Sequence, residues 1–418
     1  MLERYNLPPV ARARQTFDKT HLKNPAETLR GLLDERALDI TPGQRIAITA
    51  GSRGIDQYLT MLQEVVAYVR RRGGEPFLVP SMGSHGGGTA EGQVKLLANL
   101  GVTQETVGAP ILSSMAVREI GRTEIGLPVY IDENACAADG IILLNRVKTH
   151  TSIRERYQSG LVKMLAIGLA KHKGAAMTHA TGVPNLGPNM VRMGLFSLQH
   201  LNIVGGVSSI ENGYGEIADV YVEHGRDIAD TEPAILQRAI SMLPRIHPDR
   251  IDCLIVCQQG KNISGTGMDP AVVGRPINRR PNEGPSAETL GLLRLTEESD
   301  GNASGCGMAD FITRRLRSAI NEQYTMVNSL TGMHPKIAAI PATLETDRQV
   351  FLGCRHACGK LKDDDVRLVI IKNTKELGEI YLSPAAVNAL SADASVTVET
   401  DFAPIPFDND ETLCLFDI

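Results

Sequence analysis

The chain has 418 residues, 42% of them hydrophobic and 22% charged, with a net charge of −5, 4% aromatics and no tryptophan. That length exceeds one ordinary core and points to two domains. Interspersed charge leaves no basic footprint for nucleic acid or an anionic membrane, and the scarce aromatics leave few platforms for base stacking. No apolar run reaches the roughly 18–20 residues of a membrane span. The start, Met1-Leu2-Glu3-Arg4-Tyr5-Asn6, lacks the basic head and apolar core of a signal peptide. Seven cysteines, an odd number, fit a reducing, cytoplasmic setting without a disulfide framework.

Strands and helices alternate from the first clear element. Arg45 to Ala50 reads as an apolar strand ending in Gly51-Ser52-Arg53-Gly54, and Leu59, Leu62, Val65, Val66 and Val69 follow at helical spacing. Glu75 to Ser81 is the next strand. It runs into Gly83-Ser84-His85-Gly86-Gly87-Gly88, with Thr89 as cap of a helix carrying Val94, Leu96, Leu97 and Leu100. Gly140 to Asn145 is apolar on both faces, as a buried parallel strand requires. A polar helix, Ile235 to Leu243, with Pro244 and Pro248 behind it, reads as a connector. Further strands are expected near Cys253–Cys257, Ile337–Ile340, Arg367–Lys372 and Val396–Thr400, and residues 264–288 form a long aperiodic loop. The rhythm predicts α/β domains with mostly parallel sheets, residues 1–228 and 229–418, with the active site in the cleft between them.

Candidate chemistry concentrates in the loops that follow strands. Arg53 can grip a carboxylate or phosphate bidentately, and the glycines around His85 let a ligand approach the backbone. His85 and His150, each beyond a strand, suit proton transfer near neutrality, against the plainer reading of solvent-exposed turn histidines. Lys163, in Ser159-Gly160-Leu161-Val162-Lys163, is a nucleophile if its amine is desolvated; a lysine on such a helix otherwise snorkels to the surface. His179 has an apolar surround suited to nickel, copper or zinc, whereas His172 sits among lysines and is expected to be solvated. Gln258 and Lys261 place an amide and a cation at the end of the second domain's first strand. Cys253 and Cys257, four apart on a strand, lie about 13 Å from one another and cannot share a metal. Cys354, His356 and Cys358 lack a second finger pair for structural zinc.

Taken in order, these motifs resemble the lactate racemase family, the nickel-pincer-nucleotide 2-hydroxyacid racemases and epimerases. Arg53 matches the arginine of the first βα turn, Gly83-Ser84-His85 the Gly-Ser/Thr-His turn, and Thr149-His150 the Pro/Thr-His. Ser159-Gly160-Leu161-Val162-Lys163 matches Ser-Gly-x-x-Lys, with His179 at 179 − 163 = 16 residues beyond, and Gln258 with Lys261 matches Gln-x-x-Lys. The resemblance implies that Lys163 tethers a pyridinium-3-thioamide-5-thiocarboxylic acid mononucleotide, with Ser159 and Gly160 beside it, and that His179 completes the nickel. It implies that His85 and His150 are the acid/base pair, that Arg53 holds the substrate carboxylate, and that Gln258 and Lys261 orient it. Inversion at C2 then runs by reversible hydride transfer to the cofactor, whose loading needs cofactor-synthesis proteins.

Three departures point away from lactate: Ala50 replaces an aspartate, Gln158 and Leu161-Val162 alter the run before Lys163, and no tryptophan lines a pocket. A larger or more polar 2-hydroxy acid is expected, with Arg275, Arg279 or Arg280 as further anion contacts. The alternatives are an NAD-type 2-hydroxyacid oxidoreductase and a non-catalytic sugar-acid-binding relative. Neither Gly-rich loop has the Gly-x-Gly-x-x-Gly pattern the first requires. The particular hydroxy acid and the oligomeric state are not written in the sequence.

Overall fold

The computed structural model describes residues 2–52, 54–150, 153–275, 285–331, 335–392 and 394–416. It is a mixed α/β protein of two compact units, one comprising Asp18–Leu243 and the other Met1–Phe17 with Pro244–Ile418. The first strand, β1 (Ala11–Gln15), belongs to the second unit. Its Ala11, Ala13 and Gln15 are buried and its arginines exposed, the period-two pattern of a half-buried strand. Alanine and glutamine are weak strand formers, so this element carries little signal in the sequence.

The Asp18–Leu243 unit contains β2 (Arg45–Ala50), β3 (Glu75–Pro80), β4 (Val117–Arg122), β5 (Pro128–Asp132), β6 (Gly140–Arg146), β7 (Ile203–Glu211) and β8 (Ile217–His224). Five of them form one sheet in the order β3-β2-β6-β7-β8, and β4 pairs with β5. The β3-β2, β2-β6 and β6-β7 pairs are parallel, and β8 is antiparallel to β7. The helix Tyr58–Arg71 buries Met61, Leu62, Val65, Val66 and Val69. Thr89 caps the helix Ala90–Asn99 by accepting the Gly92 N–H at 3.1 Å, as the sequence predicts.

The helix Ile228–Ser241 is part of this unit. Its Ile235, Leu236 and Ala239 pack with Val147, Ile210 and Ala218 in one buried cluster, and the compact unit runs to Leu243, where reading this helix as a connector puts the boundary at residue 228. Apolar contacts of this helix, more than its polar face, decide where it belongs.

In the second unit, β9 (Arg250–Gln259), β10 (Ser286–Leu295), β11 (Phe311–Thr313), β12 (Ala342–Leu344), β13 (Leu368–Ile371), β14 (Glu379–Leu382) and β15 (Val396–Val398) join β1 in the order β12-β11-β10-β9-β13-β14-β1-β15. The strand expected near Ile337–Ile340 is instead a 3-10 turn, Pro335–Ala338, where proline lacks an N–H for a ladder and favours a helical first turn. The long loop contains a short helix, Pro270–Val273, and its last residues enter β10; residues 276–284, with Arg279 and Arg280, lie outside the described residues. Among the described residues no helix is long and apolar enough to cross a membrane.

Gly291 explains why β10 hides from a propensity reading. A β-carbon there would stand 2.6 Å from Val350 Cγ1 and 2.8 Å from Ile255 Cδ1. Gly291→Ala is expected to cost roughly 1–3 kcal/mol of stability through overpacking, read as a lower chemical-denaturation midpoint; an unchanged midpoint would show that the core gives way freely.

Candidate functional site

Strand order fixes where a ligand can sit in the Asp18–Leu243 unit. From β2 the chain steps outward to β3, then returns to the other side of β2 with β6, so the order reverses between β2 and β6. Crevices open beyond the carboxyl ends of parallel strands at such reversals. The loops after β2, β3 and β6 carry Ser52, His85 and His150 to this edge. Arg53 belongs to the first of these loops but lies outside the described residues.

The first two loops touch through a short hydrogen bond between Ser52 Oγ and His85 Nδ1, at 2.5 Å. His85 is otherwise exposed, at the entry to three successive glycines in the left-handed region, Gly86, Gly87 and Gly88, with φ of 65°, 69° and 65°. Only glycine adopts that run without strain.

After β6 the chain passes His150 and returns antiparallel to itself, Lys148 pairing with Ser159. His150 is partly buried. Gln158 Oε1 accepts its backbone N–H at 2.9 Å, and its Nδ1 accepts the Ile153 N–H at 3.1 Å. A neutral ring held this way carries its proton on Nε2. Burial first, then the charges of Lys163, Lys148, Arg154 and His179, hold His150 well below the usual histidine range. His150 therefore stands neutral, with an Nε2–H to donate, and it takes a proton only by releasing the Ile153 amide.

Lys163 ends the helical turn Leu161–Lys163, which widens at once into a π-helix, Met164–Gly168. Such widenings spread the backbone and recur at functional sites. The lysine is half-buried, neither snorkelled clear of the surface nor sealed in the core. Asn145, on β6, donates its amide to the Gly160 carbonyl at 2.8 Å, and a β-carbon on Gly51 would stand 3.4 Å from Met164 Cε. The Lys163 segment thus packs against the loops at the strand reversal. His179, half-buried at the end of the helix Lys171–His179, has its pKa lowered by burial. His172 is exposed, as expected.

Glu232 is the residue that sequence reasoning misses. It lies buried in the helix Ile228–Ser241, and its Oε2 accepts the Val162 N–H at 2.9 Å, capping the turn that bears Lys163. A β-carbon at Gly160 would overlap this carboxyl, its Cδ only 2.7 Å away, so Gly160 is the residue that leaves room for the cap. Burial raises the Glu232 carboxyl to about 7 in spite of the capping hydrogen bonds. The one clue in the sequence is an acid on the apolar face of that helix, four residues from Ile228 and three from Ile235.

Gln258 and Lys261 belong to the other unit, at the carboxyl end of β9, where the order reverses between β9 and β13. The Lys261 ammonium donates to the Gly265 carbonyl at 2.7 Å and to Asn328 Oδ1. Arg275, expected as an anion contact, is held by Asp310 at 2.7 Å and by the Ala287 and Glu288 carbonyls. His356 meets Tyr5 at 2.8 Å, Cys354 is buried, and Cys358 donates to the Arg355 carbonyl. Among the described residues no three His, Cys, Asp or Glu side chains gather to hold a metal.

Comparison with known proteins gives a partial match. The model of a domain of unknown function, DUF362, matches residues 50–239. The lactate racemase apoprotein from Thermoanaerobacterium thermosaccharolyticum is similar in structure, with a TM-score of 0.45, 12% identity, and coverage of 88% of this chain and 89% of that one. No curated protein matches the chain.

The raised Glu232 carboxyl has a consequence for stability. Its folded pKa of about 7 exceeds the ordinary 4.5, so the fold prefers the protonated form, and stability falls as pH rises from about 4.5 through 7. Replacing it by glutamine keeps an acceptor for Val162 and removes the titration. Urea denaturation should show the parent losing up to roughly 3 kcal/mol between pH 5 and pH 8 relative to Glu232→Gln. Parallel pH profiles for the two proteins would contradict the assignment.

Proposed function

We propose that this protein is a 2-hydroxyacid racemase or epimerase that works with a nickel-pincer nucleotide held on Lys163, on a substrate other than lactate. The observation that carries the reading is the gathering of Lys163, His150 and His179 in one electrostatic neighbourhood, beside the strand-end edge that also carries His85. The donor set suits the group. Lys163 offers a half-buried amine for a thioamide link, and His179, whose pKa burial lowers, offers a ring nitrogen to nickel. When bound, the nucleotide supplies a reversible acceptor for the C2 hydride, and its loading requires cofactor-synthesis proteins.

The chain's own part is position and proton management. His85, exposed and held through Nδ1 by Ser52, presents Nε2 to exchange the substrate hydroxyl proton. His150 presents Nε2–H to the substrate oxygen; once the Ile153 amide releases Nδ1, a proton taken up there lets Nε2 give its own to the substrate and leaves a neutral ring. Arg53, on the loop with Ser52, is assigned the substrate carboxylate.

The test is stereochemical. Protein produced together with the cofactor-synthesis proteins is given single enantiomers of polar 2-hydroxy acids in D2O. Hydride transfer predicts loss of optical purity with protium retained at C2. Deuterium at C2, or net oxidation with reduction of added NAD, would overturn the reading. His85→Gln and His150→Gln should each lower the rate roughly 10²–10⁴-fold, as removal of an acid/base group does.

A further inference from the structure

Lys171 is fully buried and plays no part in the chemistry proposed above. It opens the helix Lys171–His179 in the left-handed region, φ 56°, which turns its side chain inward. The ammonium donates to the Pro80 carbonyl at 2.5 Å and to Gln93 Oε1 at 3.1 Å, and it stands 3.3 Å from Asp132 Oδ2. Two of its donors thus meet acceptors at the end of β3 and on the helix Ala90–Asn99, and the carboxylate at the end of β5 stands at ion-pair distance. A buried ion pair adds little stability over an apolar replacement, so its use lies in holding one geometry.

Gln93 shows which geometry. With Oε1 committed to the ammonium, its amide nitrogen must face the opposite way, where it donates to the Gly83 carbonyl at 2.9 Å and the His85 carbonyl at 3.4 Å. The reverse orientation would set the NH₂ against the ammonium and the oxygen against two carbonyl oxygens. The charge on Lys171 therefore dictates the amide. The same turn is held on its other side by the Gly83 N–H, which donates to the Gly168 carbonyl at 3.0 Å, at the end of the π-helix that follows Lys163. His85 leaves this clamped turn and meets Ser52.

We propose that Lys171, backed by Asp132, locks the Gln93 amide onto the Gly83–His85 turn and so sets the direction of the His85 imidazole. Lys171 and Gln93 are positioning residues for His85. The link to proton exchange rests on the function proposed above; the clamp does not, and its test uses the chain without cofactor.

Gln93→Glu keeps the size of the side chain and an acceptor for Lys171 but removes both donors to the turn. Lys171→Met keeps most of the stem and removes the charge. In protein labelled with ¹⁵N-histidine, with His85 assigned from His85→Gln, both variants should shift the His85 ring nitrogens and leave His200 in place. Amide exchange across Gly83–His85 should quicken about 10-fold or more while melting stays cooperative. In loaded enzyme kcat should fall with KM little changed. Folded variants whose His85 signals and turn exchange superimpose on the parent would overturn the clamp, and one folded variant suffices to decide. If neither folds, the network is scaffold for the whole unit and the proposal also fails. Should the clamp hold while the parent racemises nothing, the proposed function falls and the positioning remains.

Discussion

Everything in the Asp18–Leu243 unit that bears on chemistry depends on one topological constraint, the reversal of strand order between β2 and β6. Because β3, β2, β6 and β7 run parallel, the loops that follow them leave at one edge, and crevices open at such reversals. Ser52 and His85, 33 residues apart, meet through a hydrogen bond, and the loop after β6 carries His150 to the same edge of the sheet. No local feature of any single loop would do this.

The constraint is reinforced where Lys163 enters. Its turn is capped from another helix by Glu232, admitted by Gly160, and tied to β6 through Asn145. A buried carboxyl, pushed up to about 7 by burial, is a costly cap compared with a serine or aspartate at the surface. Across the sheet edge the Lys171 ammonium organises the His85 turn by a different route, a charge that decides an amide's orientation. The two arrangements meet at the π-helix Met164–Gly168, which begins after Lys163 and ends on the carbonyl that holds Gly83.

Much of the parallel sheet is legible in the sequence because its strands are continuous apolar runs broken by glycine. Arg45–Ala50, Glu75–Pro80 and Gly140–Arg146 stand where periodicity puts them, and the histidines follow from their loops. What escapes is what depends on contacts distant in the chain. β1 is built of alanine, arginine and glutamine and takes its identity only from β14 and β15. β10 contains Gly291 because Val350 and Ile255 crowd it, and a proline turns the expected strand at Ile337 into a 3-10 turn. Glu232 lies 69 residues beyond Lys163 (232 − 163 = 69), so the cap has no local signature. Arg275 looks like a loose cation in a loop until Asp310 is seen to hold it.

The most direct measurement concerns Lys163 itself. Protein produced with the cofactor-synthesis proteins is digested, the peptide bearing Lys163 is weighed by mass spectrometry, and nickel is counted in the intact chain. The account predicts an added mass of mononucleotide size on Lys163, with nickel bound in proportion and lost in His179→Ala. An unmodified Lys163 in a preparation that still racemises a 2-hydroxy acid would contradict it.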